Sequence, residues 1–235
     1  MNRTAFLLSS ASLAAATGAA SAAASVPGGT HLVETRADFD EAHFARIVGR
    51  PARIRQVVES VSFNPVTLNN LKNTFNGLQF GFGYPASTIA VALASQGPST
   101  AYNLTSAMWS KYRLGEFFKI MDKSGKPLTA NAYYAAKSAY DPRVSPDDEH
   151  GMYQDTSLAM LQRRGLIMLA CHTAIEEISG KLVAAGFAPA GATRKDVADD
   201  FLTHLNQGVL VVPSMVATIA VLQATYHYTY LNVTF

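Results

Sequence analysis

Cys171 is the only cysteine among 235 residues, and His172 follows it directly. It closes the apolar run Leu166-Ile167-Met168-Leu169-Ala170, and Ile175, Ile178 and Leu182 follow at the i, i+3, i+7 spacing of a helix. A thiol between a strand and a helix sits at the positive end of the helix dipole, which favours the thiolate, the form of cysteine that does chemistry. With no second cysteine an internal disulfide is excluded, which leaves packing, thiol or persulfide chemistry, or a bond to another molecule. His172 supplies an imidazole that could steady a thiolate or move a proton, although neighbours at a helix start need not face each other. Free cysteine is also among the most commonly buried residue types, so a small apolar filler is the competing reading of Cys171.

The second candidate group is Gln96-Gly97-Pro98, after the apolar run Ser87 to Ser95. These residues would line the carboxyl edge of a parallel sheet, where open α/β sheets place ligands; Gly-Pro is equally a plain strand exit. The six histidines, at 31, 43, 150, 172, 204 and 227, form no metal-ligand spacing, and no metal is expected. Asp147-Asp148-Glu149-His150 reads as a solvated charge run. Trp109 with Tyr112 reads as core or subunit contact, and Tyr226, His227, Tyr228 and Tyr230 as half-buried packing or a pocket wall. There is no Gly-x-Ser-x-Gly elbow, and Gly77, Gly81 and Gly83 lack the context of a dinucleotide fingerprint, so no cofactor is expected.

The elements that must position these groups alternate strand and helix. Ile54 to Ser62, Ser87 to Ser95, Leu166 to Cys171, Gly208 to Pro213 and Tyr228 to Val233 read as strands. Leu68, Leu71, Phe75 and Leu78 mark one buried helical face after Asn64-Pro65, and Tyr102, Leu104, Met108 and Trp109 mark another. Val197, Phe201 and Leu205 mark a helix over 196–206, and Ser214 caps one over 214–225. Residues 119 to 155 break the pattern as a long polar insertion, a length of loop that is usually functional or mobile. Five strands with intervening helices predict an α/β fold, a three-layer α/β/α sandwich around a mainly parallel five-stranded sheet.

Residues 1 to 24 carry one charge, Arg3, and an apolar then Ala/Ser/Gly-rich run, which predicts a cleaved export signal of Sec or twin-arginine-like type and hence a periplasmic protein. Its removal lowers the net charge from +2 to +1 and leaves about 210 residues, enough for one core without disulfide staples. Lysines and arginines are scattered, so no nucleic acid is expected as a partner, and no membrane span remains after cleavage. The predicted layout is signal 1–24, N-terminal arm or short surface helix 25–50, and α/β domain 51–235.

The order of these pieces resembles the DsrE/DsrF-like family of small sulfur-handling α/β proteins. The resemblance spans about residues 52 to 233. It is carried by Leu71-Lys72-Asn73 through Leu78, by Ile89 through Pro98, by Met168-Leu169-Ala170-Cys171 with Thr173-Ala174, and above all by Gly208 through Gln223 followed by Tyr226 and Tyr228-Thr229-Tyr230. It implies that Cys171 holds sulfane sulfur as a persulfide and passes it between a donor and an acceptor, protein or small sulfur compound, in a homo-oligomer. His172 departs from the small or apolar residue the family often has there. Several members of such families lack a working cysteine, so a non-catalytic binding or assembly module with an inert Cys171, or a redox sensor using it for an intermolecular disulfide, stands as the alternative.

Overall fold

The two apolar runs form the middle of the sheet. In the computed structural model, which describes residues 32–233, β2 (Ile89–Ser95) and β3 (Leu166–Cys171) are buried at every position. Unbroken burial is what a strand covered by helices on both faces requires. With β1 (Ile54–Ser60), β4 (Val209–Val212) and β5 (Thr229–Asn232) they form a five-stranded, all-parallel sheet in the order β4-β3-β2-β1-β5.

Strand order dictates helix placement. Right-handed crossovers that step in one direction from β1 to β4 set their helices on one face. These are α2 (Val66–Asn76), α3 (Ser106–Lys111), α4 (Leu114–Phe117), α5 (Leu158–Arg163), α6 (His172–Ala184) and α7 (Arg194–Thr203). The last connection returns across the whole sheet, so α8 (Met215–Ala224) covers the opposite face beside α1 (Glu41–Val48).

Side chains sort with period two. Ala90, Ala92 and Ala94 of β2 and Ile167, Leu169 and Cys171 of β3 pack with Phe44, Val48, Met215, Ile219 and Leu222. Val91, Leu93 and Met168 pack with Leu68, Leu71, Phe75, Leu158 and Leu161. Trp109, Tyr112, Ile175, Ile178, Leu182 and Phe201 extend the core between α3, α6 and α7. The molecule is thus a three-layer α/β/α sandwich, and no helix among the described residues is long and apolar enough to cross a membrane.

Several local expectations change. The segment 25–50 holds α1, whose Phe44 and Val48 are buried, so the packed unit begins ahead of residue 51. The helix expected through Tyr102 and Trp109 is two pieces, a tight turn over Gly97–Asn103 and then α3. Between them the backbone pairs sideways: Thr105 N donates to His204 O at 3.2 Å and Asn206 N to Asn103 O at 2.7 Å, which takes Leu104 and Leu205 out of helices into a bridge. α2 passes into a wide turn over Gly77–Gly81, and Leu78, half-buried in that turn, still packs against the cluster of Leu68, Leu71 and Phe75. Ser214 precedes α8 but makes no side-chain cap bond. The export signal 1–24 and the start of the arm lie outside the described residues.

The insertion has few regular elements but is tied down. Buried Asn131 donates through Nδ2 to Tyr102 O at 3.1 Å and Leu104 O at 2.9 Å. Buried Asp155 accepts from Lys137 N at 2.7 Å, Ser138 N at 2.9 Å and Ser157 N at 2.8 Å. Burial alone would raise the Asp155 carboxyl, but the donors from Ser157, Lys137 and Ser138 outweigh it and hold it below the usual carboxylate range.

Candidate functional site

The parallel register brings the sequence candidates to one edge. Ser60 pairs with Ser95 and Ser95 with Ala170, while Cys171 pairs with Val212, so the carboxyl ends of β1 to β4 align and the residues after them share a rim. Gln96-Gly97-Pro98 follow β2 there, and Cys171-His172 end β3 and begin α6. Asn103 Nδ2 donates to Leu169 O at 3.3 Å, tying the turn after β2 to the strand that carries the cysteine.

Cys171 is the N-cap of α6 and is only 3% exposed. Its Sγ accepts the Ala174 N–H at 3.4 Å, in the first turn of α6, and the Met215 N–H at 3.3 Å, at the first residue of α8. One sulfur therefore lies where two helix N-termini converge, with otherwise orphaned N–H groups aimed at it. Such groups accommodate negative charge, and they equally give a packed thiol its hydrogen bonds.

His172 does not share that environment. Its side chain, 10% exposed, turns toward Glu176, with Nε2 3.9 Å from Oε1; Glu176 Oε2 in turn lies 3.3 Å from Nε of Arg194 at the start of α7. Consecutive residues at a strand end address opposite faces of the sheet, so the sulfur meets α8 while the imidazole meets α6 and α7.

Gln96 is half-buried, and its Nε2 donates to Glu59 Oε1 at 2.5 Å. Gly97 has φ of 55°, and a Cβ there would stand 3.0 Å from Val61 O, so the turn demands glycine. Pro98 opens the tight turn, and Ser99 Oγ accepts from Gln96 N at 3.0 Å and donates to Ser60 O. Gly97 and Pro98 thus shape the exit, while Gln96 alone of the three engages a charged side chain.

That charged side chain was not singled out from the sequence. Glu59, 7% exposed near the end of β1, accepts from Gln96, from Tyr230 OH and from Asn232 Nδ2 at 2.9 Å. The bond to Glu59, ahead of burial, raises the Tyr230 phenol above its usual range. A carboxylate joined by an amide from the end of β2 and by a phenol and a carboxamide from β5 can orient a polar ligand. A sequence signal existed: Glu59 follows Val57-Val58 at the end of a strand expected to be covered. Its partners Tyr230 and Asn232 come from β5 at the other end of the chain, which local pattern does not reach. Glu59 lies level with Ala94 and Leu169, so two strand spacings across and two residues along separate it from Cys171, about 12 Å.

The acidic run Asp147-Asp148-Glu149-His150 is exposed, and Asp148 Oδ1 is used locally by His150 N at 3.0 Å. Among the described residues no three His, Cys, Asp or Glu side chains converge as metal ligands. Fold and rim together define a three-layer α/β protein with a thiol and a buried carboxylate along one sheet edge. No protein-family model, curated protein or solved structure matches the chain.

Proposed function

We propose that the protein carries sulfane sulfur on Cys171 as a DsrE/DsrF-like sulfur relay subunit. The observation that carries this reading is the pair of backbone N–H groups, from Ala174 and Met215, directed at one thiol sulfur. In the loading step the Cys171 thiolate attacks the outer sulfur of thiosulfate; the S–S bond to the sulfonate breaks, sulfite leaves with its electron pair, and a persulfide anion remains on Cys171. An acceptor thiolate then takes the outer sulfur and restores the thiolate. The 3% exposure of Cys171 makes access the controlled step: the start of α8 at Ser214-Met215 has to yield before a donor reaches the sulfur.

The same reading takes the chain as exported and self-associating. Val216 and Val221, 63% and 43% exposed on α8, support the second point as an apolar surface available to another copy.

Intact mass after incubation with thiosulfate or polysulfide tests the proposal. Wild type is expected to gain one or more sulfur masses that a reductant removes, and Cys171→Ser none. The absence of gain in wild type overturns it.

A second reading is favoured by the burial of Cys171 and by the Glu59 cluster: a ligand-binding or assembly module that uses Glu59, Gln96 and Tyr230 while Cys171 only packs. It expects no persulfide in wild type, with Glu59→Gln rather than Cys171→Ser abolishing function.

A further inference from the structure

At the opposite, amino-terminal end of the sheet, three arginines meet with no acid beside them among the described residues. Arg164, between α5 and β3, is 7% exposed and forms no ion pair within 4.0 Å among the described residues. Its guanidinium lies over the rings of Phe75 at 5.2 Å and Tyr153 at 5.1 Å, and Nη2 donates to Asn76 Oδ1 at 2.7 Å. Nη1 is buried and has no hydrogen-bond partner. Burial holds the Arg164 side chain below the usual arginine range, down to about 10.

Taking a guanidinium out of water is costly unless an opposite charge accompanies it, and aromatic faces return only part of that cost. Something in the working molecule has to balance this charge. Arg50, half-buried across the same space, adds to the imbalance: Nη2 is used by Ile89 O at 3.0 Å and Gly165 O at 2.8 Å, but Nε is buried and unpartnered. Arg50, Arg164 and the exposed Arg163 line one cavity of about 270 Å³, with Tyr140 and Ser87 adding hydroxyl groups to its wall. Among the described residues no carboxylate lines it.

We propose that this cavity is a binding site for a small oxyanion, a phosphate, sulfate or carboxylate group, held by Arg50, Arg163 and Arg164. Planar guanidinium groups are the side chains best matched to such anions, and three of them around a space of this size suit one oxyanion with few attached atoms. The strand lies between this site and Cys171, roughly 20 Å along β3, so the site stands independently of the sulfur reading.

The test is calorimetric titration of the full chain with inorganic phosphate, sulfate or acetate at fixed ionic strength, paired with thermal melts at millimolar anion, where general salt exclusion is small. Saturable binding by at least one anion is expected, with a rise in Tm on the order of 5 °C near saturation. Preference for phosphate or sulfate identifies a tetrahedral ligand, and preference for acetate a carboxylate. Arg163→Glu, an exposed position that leaves the fold intact, is expected to weaken binding about tenfold or more. Arg164→Met is expected to abolish it; should Arg164→Met unfold, Arg163→Glu decides alone. No saturable binding of any of the three anions, or equal binding by wild type and Arg163→Glu, overturns the proposal.

Discussion

Met215 donates its backbone N–H to the Cys171 sulfur across 3.3 Å, which ties the first turn of α8 to the end of β3. Since α8 arrives from the edge strand and crosses the sheet, this bond and the one from Ala174 join both helical layers at one atom. Losing the acceptor leaves two N–H groups buried without a partner, each costing about 1–3 kcal/mol. Cys171→Ala is therefore expected to lower stability by about 2–6 kcal/mol, and Cys171→Ser, which keeps an acceptor, by less. Urea unfolding of the two variants checks this; equal midpoints would mean that the sulfur bonds contribute nothing.

The same burial makes a kinetic prediction. A thiol on a residue 3% exposed reacts with Ellman's reagent only when the structure opens. Labelling of the folded chain is expected to run far slower than that of a free thiol and to speed up in Met215→Pro, which removes one of the N–H donors and its tie to α8. Labelling of the native chain as fast as in urea contradicts the sealed geometry.

The bond to Glu59 sets the Tyr230 titration. Because the Glu59 bond is the largest cause of the raised Tyr230 phenol, Glu59→Gln is expected to bring the Tyr230 titration down toward the ordinary tyrosine value. Ultraviolet difference titration, with Tyr230→Phe to assign the signal, reads this. A curve unchanged by Glu59→Gln would show that the carboxylate does not govern the phenol.

Asp155 gives the insertion a pH dependence of known sign. Its folded carboxyl lies below the ordinary range, so its contribution is complete above the unfolded value of about 3.9 and is lost as pH falls through the lower folded value. The stability gap between wild type and Asp155→Asn is expected to be widest near neutrality and to close in strong acid. Denaturant melts across that range measure it, and a gap that widens on acidification reverses the assignment.

What could be read from the sequence follows from where burial is symmetric. β2 and β3 announce themselves because helices cover both faces, so every residue but Ser95 is apolar, and α6 shows itself through Ile175, Ile178 and Leu182, all buried. Leu104 and Leu205 mislead because each fits a helical stripe while its backbone pairs with the other across the fold. Cys171 and Gln96 were legible as residues at strand ends. Glu59 was not, since its meaning depends on Tyr230 and Asn232 and on β5 docking against β1. Arg164 was hidden for a similar reason: a charge before a strand reads as solvated until Phe75 and Tyr153 close around it.

The place of α1 carries the last prediction. Phe44 and Val48 are 5% and 0% exposed against the face of the sheet that α8 also covers, and Tyr228 OH donates to Val48 O at 2.9 Å, joining α1 to the segment that leads into β5. Burying two such side chains contributes about 3–6 kcal/mol, a large part of the 5–15 kcal/mol typical of a domain. A chain shortened to begin at residue 51 also uncovers Val57 and strands the buried Tyr228 hydroxyl, whose phenol burial pushes up to about 12. That chain is expected to unfold at much lower urea, whereas one beginning at residue 38, which keeps the Asp40 cap on His43 N, should retain the wild-type midpoint within about 1 kcal/mol. If both shortened chains unfold together at the wild-type midpoint, α1 is an ornament, and the face of β1 and β2 beneath it has to be stable when bare.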